Sequence, residues 1–127
     1  MSWVLVDTSV WVAHFRQAEP RLQSLLSEDR VLSHPLIVLE IACGTPPALR
    51  ARTLSSLQAL QQSAPVTPEE TLSFIATHRL HDSGCGAIDL CLLASARMTP
   101  HTTLWTLDRN LAGLARRLGV LFQAARS

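Results

Sequence analysis

The chain has 127 residues, of which 47% are hydrophobic and 17% are charged, and its formal net charge is +1. This length suits one domain, and the hydrophobic fraction favours a packed core over disorder. All 11 basic residues are arginine. The sequence therefore excludes a Walker-type phosphate-binding loop and a Schiff-base lysine, both of which need lysine. The balanced charge also argues against a strongly basic nucleic-acid binder, although a local arginine-lined groove stays possible.

The cysteines and the apolar segments indicate the cellular compartment of the protein. Cys43, Cys85 and Cys91 form no Cys-x-x-Cys pair, and their number is odd. This pattern predicts reduced cytoplasmic thiols and neither a disulfide framework nor a zinc site. No basic segment precedes the first apolar run, and no stretch approaches the roughly 18 apolar residues of a membrane span. We therefore expect neither a signal peptide nor a membrane helix.

Short apolar segments alternate with helical patterns along the whole chain. In chain order, the pattern predicts strand 3–6, helix 8–16, helix 20–28, strand 30–33, helix 36–43, helix 48–62, strand 64–66, helix 68–80, helix 87–98, strand 103–107, helix 108–118 and strand 119–122. Thr67 and Glu70 form a capping box at the start of one of these helices. Strands that alternate with helices are typical of parallel sheets joined by helical crossovers, so the fold class is α/β.

Four of the ten acidic residues stand in apolar surroundings. Asp7 and Asp108 each follow a predicted strand, whereas Glu40 and Asp89 interrupt apolar helical segments. A lone ionised carboxylate in an apolar site costs many kcal/mol unless it is paired. One shared divalent cation satisfies all four acids, whereas four separate ion pairs would demand much of 11 arginines. Because sites in α/β sheets form at the carboxyl ends of strands, the sequence predicts a Mg²⁺ or Mn²⁺ site there.

Helix capping and ion pairing offer other interpretations of the same acids. Aspartate is a favoured N-cap residue, and for Asp108 taken alone capping is the better interpretation. Asp7 also precedes a predicted helix, but two further candidate caps follow it directly. Glu40 could pair with an arginine or face solvent, and a helix N-terminus would favour Asp89 through the dipole. The six other acids are interpreted as surface residues or caps: Glu19, Glu28, Asp29, Glu69, Glu70 and Asp82.

Four segments, in this order and at this spacing, resemble the PIN-domain ribonucleases, and among them the VapC toxins of bacterial toxin–antitoxin modules. These segments are Val6–Trp11, His34–Gly44, Gly84–Ala96 and Leu104–Leu111. Together they span nearly the whole chain, which the resemblance identifies as a single PIN domain over residues 1–127. The implied fold is a PIN-like three-layer sandwich, with a central parallel sheet of four to five strands and helices on both faces.

The resemblance also implies an activity. An acidic pocket of Asp7, Glu40, Asp89 and Asp108 would hold Mg²⁺ or Mn²⁺, and metal-activated water would cleave structured RNA such as tRNA or rRNA loops. A homodimer and a cognate VapB-type antitoxin would accompany this activity, without a nucleotide cofactor or a membrane. All four acidic positions are filled, so the sequence gives no sign of an inactive member.

Other polar residues are candidates for supporting roles. Three of them could orient a carboxylate or contact phosphate, with capping and strand packing as equal alternatives: Thr8, Ser9 and Thr106. Three arginines could contact the RNA backbone, because arginine binds phosphate through two hydrogen bonds: Arg109, Arg16 and Arg79. For each arginine, an ordinary place on the surface is the alternative.

Three other functions compete with the ribonuclease. A PIN fold could bind RNA or protein without cleaving RNA, but this alternative does not explain why all four acidic residues are present. A phosphatase of the haloacid dehalogenase type also begins with a strand and an aspartate, yet it needs a second aspartate where this chain has Ser9, and it needs a lysine. A receiver domain of two-component signalling is disfavoured by the same missing lysine.

Overall fold

The computed structural model describes residues 2–123. Its elements are, in chain order, β1 (Trp3–Val6), α1 (Thr8–Arg16), α2 (Pro20–Ser27), β2 (Val31–Ser33), α3 (Pro35–Cys43), α4 (Arg50–Gln58), β3 (Gln61–Gln62), α5 (Pro68–His78), α6 (Ala87–Met98), β4 (Thr102–Trp105) and α7 (Arg109–Arg117). No helix within this range is long and apolar enough to cross a membrane.

The four strands form one parallel sheet in the order β3-β2-β1-β4. Strand β1 pairs with β2 on one side, where Leu5 lies opposite Leu32, and with β4 on the other, where Val6 lies opposite Trp105. The chain therefore fills one side of β1 before it returns to fill the other. Ligand sites in such sheets form where the strand order reverses, which here is the carboxyl edge between β1 and β4.

Both faces of the sheet are covered by helices, in the three-layer α/β arrangement that the resemblance implies. Helix α3 contacts α1 and α4 in one group, and α6 contacts α5 and α7 in the other. Helix α6 is the most deeply packed of the described helices, since every residue from Leu90 to Ala96 is buried. Val4, Leu5 and Val6 of β1 are buried as well. This core fixes the start of α6 and the end of β1, the two places where Asp89 and Asp7 lie.

The structure corrects the prediction between residues 48 and 66. The predicted helix 48–62 covers only Arg50–Gln58, and the strand lies at Gln61–Gln62, ahead of the predicted 64–66. Both glutamines are exposed on an edge strand that pairs with β2. A polar strand of two residues has no alternating apolar pattern by which a strand is predicted. The sequence pattern therefore predicted that the preceding helix continued through these residues.

The last predicted strand, 119–122, is reduced to an isolated parallel bridge between Leu121 and Leu104. The backbone of Leu104 donates to Val120 at 2.7 Å and accepts from Phe122 at 2.9 Å. The capping box is confirmed: the side chain of Thr67 accepts from the Glu70 backbone at 3.0 Å, and the Glu70 side chain accepts from the Thr67 backbone at 2.8 Å.

Candidate active site

Asp7 lies directly after β1 and is buried, with 4% of its surface exposed. Its Oδ2 atom accepts two hydrogen bonds, one from Ser9 Oγ at 2.8 Å and one from Thr106 Oγ1 at 2.7 Å. Although Asp7 occupies the N-cap position of α1, its side chain makes no capping hydrogen bond. The capping alternative is therefore wrong for Asp7, and its carboxylate is held toward the carboxyl edge of the sheet.

The two hydroxyl groups that hold Asp7 also tie β1 to the segment after β4. Thr106 Oγ1 accepts from the backbone of Asp108 at 3.1 Å, and Ser9 Oγ accepts from the backbone of Leu107 at 3.0 Å. Each hydroxyl thus donates to the carboxylate and accepts from the neighbouring chain segment. This network fixes the relative position of Asp7 and Asp108.

Glu40 is the second acid at this edge. It is half-buried on α3, and its Oε1 atom accepts a 2.6 Å hydrogen bond from Thr8 Oγ1 at the start of α1. Because Thr8 directly follows Asp7, the contact brings the two carboxylate-bearing segments together. Thr8 therefore restrains Glu40, as Ser9 and Thr106 restrain Asp7.

Asp89 lies in the first turn of α6 and is half-buried. Burial raises the pKa of its carboxyl group above the ordinary value, and the negative charges of Asp7, Asp108 and Glu40 raise that pKa further. A hydrogen bond from the Gly86 backbone acts in the opposite direction. The four acids thus share one electrostatic environment in which their charges repel one another.

Asp108 is an exposed residue that caps α7, with its Oδ1 atom accepting from the Leu111 backbone at 2.9 Å. The capping interpretation is right for this acid. Capping uses one carboxylate oxygen, so it is compatible with a second role for the other oxygen, which makes no hydrogen bond to another described residue.

The chemistry of this cluster fits a hard divalent cation. Four carboxylates provide the oxygen ligands that Mg²⁺ and Mn²⁺ prefer. In the part of the chain that the structure describes, the one ion pair joins Arg30 to Glu28, so no described basic side chain neutralises the cluster. Among residues 2–123, however, no three acidic, histidine or cysteine side chains form a ready-made metal site. The carboxylates would have to draw closer together around a bound ion.

Comparison with known proteins decides the family. A family model of the PIN domain matches residues 4–117. The chain belongs to the PIN domain family. It is 39% identical over 117 residues to "Ribonuclease VapC32" of two Mycobacterium tuberculosis strains, CDC 1551 / Oshkosh and ATCC 25618 / H37Rv, and the alignment covers 92% of this chain and 94% of that protein. The resemblance to VapC proteins is thereby confirmed.

The fold of this PIN domain has a counterpart among solved structures. The crystal structure of PAE2754 from Pyrobaculum aerophilum superposes with a TM-score of 0.56 at 18% sequence identity, covering 93% of this chain and 90% of that one. At this identity the similarity concerns the fold alone. It agrees with the α/β class and the parallel sheet that the sequence predicts.

The three candidate arginines occupy different surroundings in the PIN domain. Arg109 is the exposed first residue of α7 and directly follows Asp108. Arg16 is the exposed last residue of α1 and lines a cavity that Glu40 also lines. Arg79 is exposed after α5 in a left-handed backbone conformation, and no described hydrogen bond joins it to the acids. Arg109 is thus adjacent in sequence to one of the acids, and Arg16 shares a cavity with another.

Sequence reasoning missed a close contact between the turn that precedes α6 and the first turn of α7. Gly84 precedes α6 with a φ of +85°, and a Cβ atom at this glycine would lie 2.5 Å from Nδ2 of Asn110 in α7. Only glycine lets the two segments approach so closely. The Gly-x-Gly spacing before α6 was the available signal, but a pair of glycines does not reveal which side chain they admit.

Proposed function

We propose that this PIN domain is a metal-dependent endoribonuclease that cleaves structured RNA and serves as the toxin of a toxin–antitoxin module. The observation that carries the proposal is the hydrogen-bond network through Thr8 and Thr106 that holds the segments bearing Glu40, Asp7 and Asp108 together at the carboxyl edge of β1 and β4. The charges of these three acids also raise the pKa of Asp89, which places it in the same environment. The 39% identity to a protein named "Ribonuclease VapC32" supports the same activity.

In this proposal, the four acids are the metal-binding and catalytic groups. Asp7 is the most rigid ligand, because two hydroxyl groups fix its Oδ2 atom. Asp89, Glu40 and Asp108 complete an all-oxygen donor set for Mg²⁺ or Mn²⁺. Such an ion, when bound, lowers the pKa of a water molecule and offsets negative charge at the phosphate.

The remaining side chains orient these groups and guide the RNA. Thr8, Ser9 and Thr106 hold the carboxylates in position, which in metal sites is worth about 10–100-fold in affinity or activity. Arg109 directly follows Asp108, and Arg16 lines a cavity that Glu40 also lines, so both are suited to bind backbone phosphates. Arg79, which is exposed after α5, is a third candidate for the same role. RNA loops, which display unpaired bases, suit such a site better than regular duplexes.

The partners in the proposal follow from the VapC resemblance. We infer that a VapB-type antitoxin binds the protein and inhibits it, that the protein forms a homodimer, and that it acts in the cytoplasm on RNA. The free thiols of Cys43, Cys85 and Cys91 are in keeping with a reducing compartment. A short reading frame beside the gene, encoding a DNA-binding protein that co-purifies with this chain, is the expected antitoxin. Size-exclusion chromatography with light scattering tests the dimer.

Cleavage assays with single carboxylate replacements test the activity. The purified protein is incubated with Mn²⁺ and a panel of structured RNAs, with EDTA added to a parallel set. We expect cleavage that EDTA abolishes and that Asp7→Asn and Asp89→Asn each lower by at least about 100-fold, since each removes a metal-binding oxygen. Glu69→Gln, which removes an exposed acid on α5, is the matched control. Unchanged cleavage in both active-site variants would show that these acids are not the catalytic groups.

A further inference from the structure

A cavity of about 460 Å³ opens beside Glu40, between the second half of α1 and the end of α3. The segment that follows α3 closes its far side. Its walls include Val12, Phe15, Arg16, Gly44 and Pro46, in addition to Glu40 itself. This volume falls in the range of cavities that hold small ligands or parts of larger ones.

The cavity extends the acidic cluster along one face of α1. Thr8, Val12 and Arg16 are spaced four residues apart, so they lie on the same side of this helix. Thr8 donates its hydrogen bond to Glu40 at the inner end, and Arg16 stands at the outer end. At 1.5 Å per residue, the two ends lie about 12 Å apart along the helix axis.

The walls of this cavity combine apolar surfaces with one cation, Arg16, at the end away from the Glu40 carboxylate. Val12 is unusually exposed for a hydrophobic residue, at 39%, and Phe15 packs against Trp11 with ring centroids 6.1 Å apart. Arg16 forms no ion pair with any described acid, so its charge is available to a ligand. A flat apolar body joined to an anion would match both features.

An RNA nucleotide has this combination of groups. Unpaired bases stack on aromatic and apolar side chains, and arginine binds phosphate oxygens through two hydrogen bonds. The cavity also shares Glu40 with the proposed catalytic cluster, so whatever fills it lies next to the reacting phosphate. An apolar peptide would satisfy the walls but would leave Arg16 without a partner.

We propose that this cavity binds one unpaired nucleotide adjacent to the scissile phosphate. Arg16 contacts a phosphate of that nucleotide, and Val12, Phe15 and Pro46 contact its base. The proposal rests on the ribonuclease activity argued above and specifies which part of the RNA the protein selects. Sequence preference next to the cut then depends on the shape of this cavity.

Gly44 allows the cavity to be filled without altering its charged groups. Its φ is −93°, a value that any residue adopts, and a Cβ atom there would meet only ordinary contacts, at 3.6 Å from the Ile41 carbonyl oxygen and 4.0 Å from that of Glu40. Gly44→Leu therefore projects a side chain into the space, whereas Gly44→Ala is the matched control that leaves most of it open.

Arg16→Ala removes the cation, with Arg116→Ala as a control because Arg116 is an exposed arginine in the last turn of α7.

Two measurements on these variants test the proposal. The first is the fluorescence anisotropy of labelled RNA twelve-mers of randomised sequence, titrated in EDTA so that no cleavage occurs. The second is sequencing of the product ends after cleavage, in Mn²⁺, of structured stem-loop RNAs whose loop sequence is randomised. We expect Arg16→Ala to weaken RNA binding by about ten-fold, the loss typical of one hydrogen bond to a charged group. We expect Gly44→Leu to weaken RNA binding as well, because its side chain fills the space proposed for the nucleotide. We expect Gly44→Leu to flatten the base preference beside the cut, while both controls behave as the parent protein. Thermal melting of each variant checks that folding is retained.

The two measurements separate this proposal from the one on which it rests. If the parent protein cleaves and Gly44→Leu leaves both affinity and base preference unchanged, the cavity proposal is wrong and the ribonuclease stands. If nothing is cleaved, the ribonuclease fails, and an unchanged affinity in Gly44→Leu overturns the cavity proposal as well. If Gly44→Leu spares RNA binding but prevents co-purification with the antitoxin, the cavity is a protein-binding site, which also overturns the proposal.

Discussion

Thr106 Oγ1 donates a 2.7 Å hydrogen bond to Oδ2 of Asp7, although the two residues are 99 positions apart in the chain. The contact exists because β1 and β4 are neighbours in the sheet, with Val6 opposite Trp105. Residues that follow paired parallel strands meet at one edge of the sheet. The buried carboxylate of Asp7 therefore obtains its hydrogen-bond donors from both ends of the sequence, and this fixes the direction in which its charge points.

Replacing Thr106 tests the value of this contact. Thr106→Val keeps the shape of the side chain but leaves the buried Asp7 carboxylate with one hydroxyl donor. We expect a loss of about 1–3 kcal/mol in the free energy of unfolding and a loss of about 10–100-fold in cleavage rate or metal affinity. Urea denaturation and Mn²⁺-dependent cleavage assays measure the two effects.

A matched control for this variant lies on the same strand. Thr103 is half-buried in β4 and its side chain makes no hydrogen bond to another described residue, so Thr103→Val is expected to change neither property appreciably. Thr106→Ser, which keeps the hydroxyl group, is expected to retain most of the activity. Equal activity in Thr106→Val and Thr103→Val would show that the hydrogen bond to Asp7 does not support function.

The sequence predicted the position of the acids better than their roles. Asp7 and Asp108 follow strands whose apolar runs are unmistakable, so their common edge followed from the α/β pattern. The sequence did not predict which hydrogen bonds each carboxylate accepts. Asp7 and Asp108 both precede helices, but only the side chain of Asp108 caps its helix. The choice depends on Thr106 and Ser9, whose hydroxyl groups reach Asp7 only after the sheet has formed.

Asp108 combines a cap with a proposed catalytic role, and two substitutions separate these. Asparagine caps helices about as well as aspartate, whereas alanine caps poorly. We expect Asp108→Asn to keep the stability of the protein and Asp108→Ala to lose about 1 kcal/mol, because the Leu111 backbone loses its acceptor. Both should lower cleavage by a similar factor, since both remove the carboxylate.

Thermal melting and cleavage rates, measured side by side, distinguish these effects for Asp108. If Asp108→Asn cleaves RNA as well as the parent protein while Asp108→Ala does not, the residue contributes through helix capping alone. In that case Asp108 would have to be removed from the catalytic set, and Asp7, Glu40 and Asp89 would remain.

The raised pKa of Asp89 predicts a pH-dependent stability. Burial and the three neighbouring acids lift this pKa in the folded protein above its value in the unfolded chain. Between the two pKa values the folded state binds more protons, so the contribution of this group to stability falls as the pH rises through that interval. At neutral pH and without metal, the ionised Asp89 therefore destabilises the protein.

Asp89→Asn removes this destabilising charge. In EDTA at pH 7 we expect its melting temperature to exceed that of the parent protein by a small amount, on the order of 2 °C after solvent screening of a half-buried group is considered. At pH values below the ordinary range of aspartate pKa values, the difference in melting temperature should vanish, because the carboxyl group is then protonated in the folded and the unfolded protein.

Mn²⁺ should stabilise the parent protein more than the variant, since ligand binding to the folded state raises stability. A lower melting temperature for Asp89→Asn at pH 7 would contradict the repulsion among the acids.

The contact between Gly84 and Asn110 predicts a cost for any side chain at position 84. Gly84→Ala meets two penalties: a φ of +85°, which costs a non-glycine residue about 1–2 kcal/mol, and a Cβ atom 2.5 Å from Nδ2 of Asn110. We expect denaturation to show a loss of at least about 1 kcal/mol, together with reduced cleavage because α6 and α7 carry Asp89 and Asp108. Gly86→Ala is the control, since Gly86 has a φ of −86° and open space around it, so a side chain there meets neither penalty and is expected to cost less than Gly84→Ala. Adding Asn110→Ala to Gly84→Ala removes the second penalty and leaves the first, so a double-mutant cycle should show partial recovery. No recovery would mean that Asn110 moves aside freely, and that the backbone conformation at Gly84, and not the close contact, sets the position of α6 against α7.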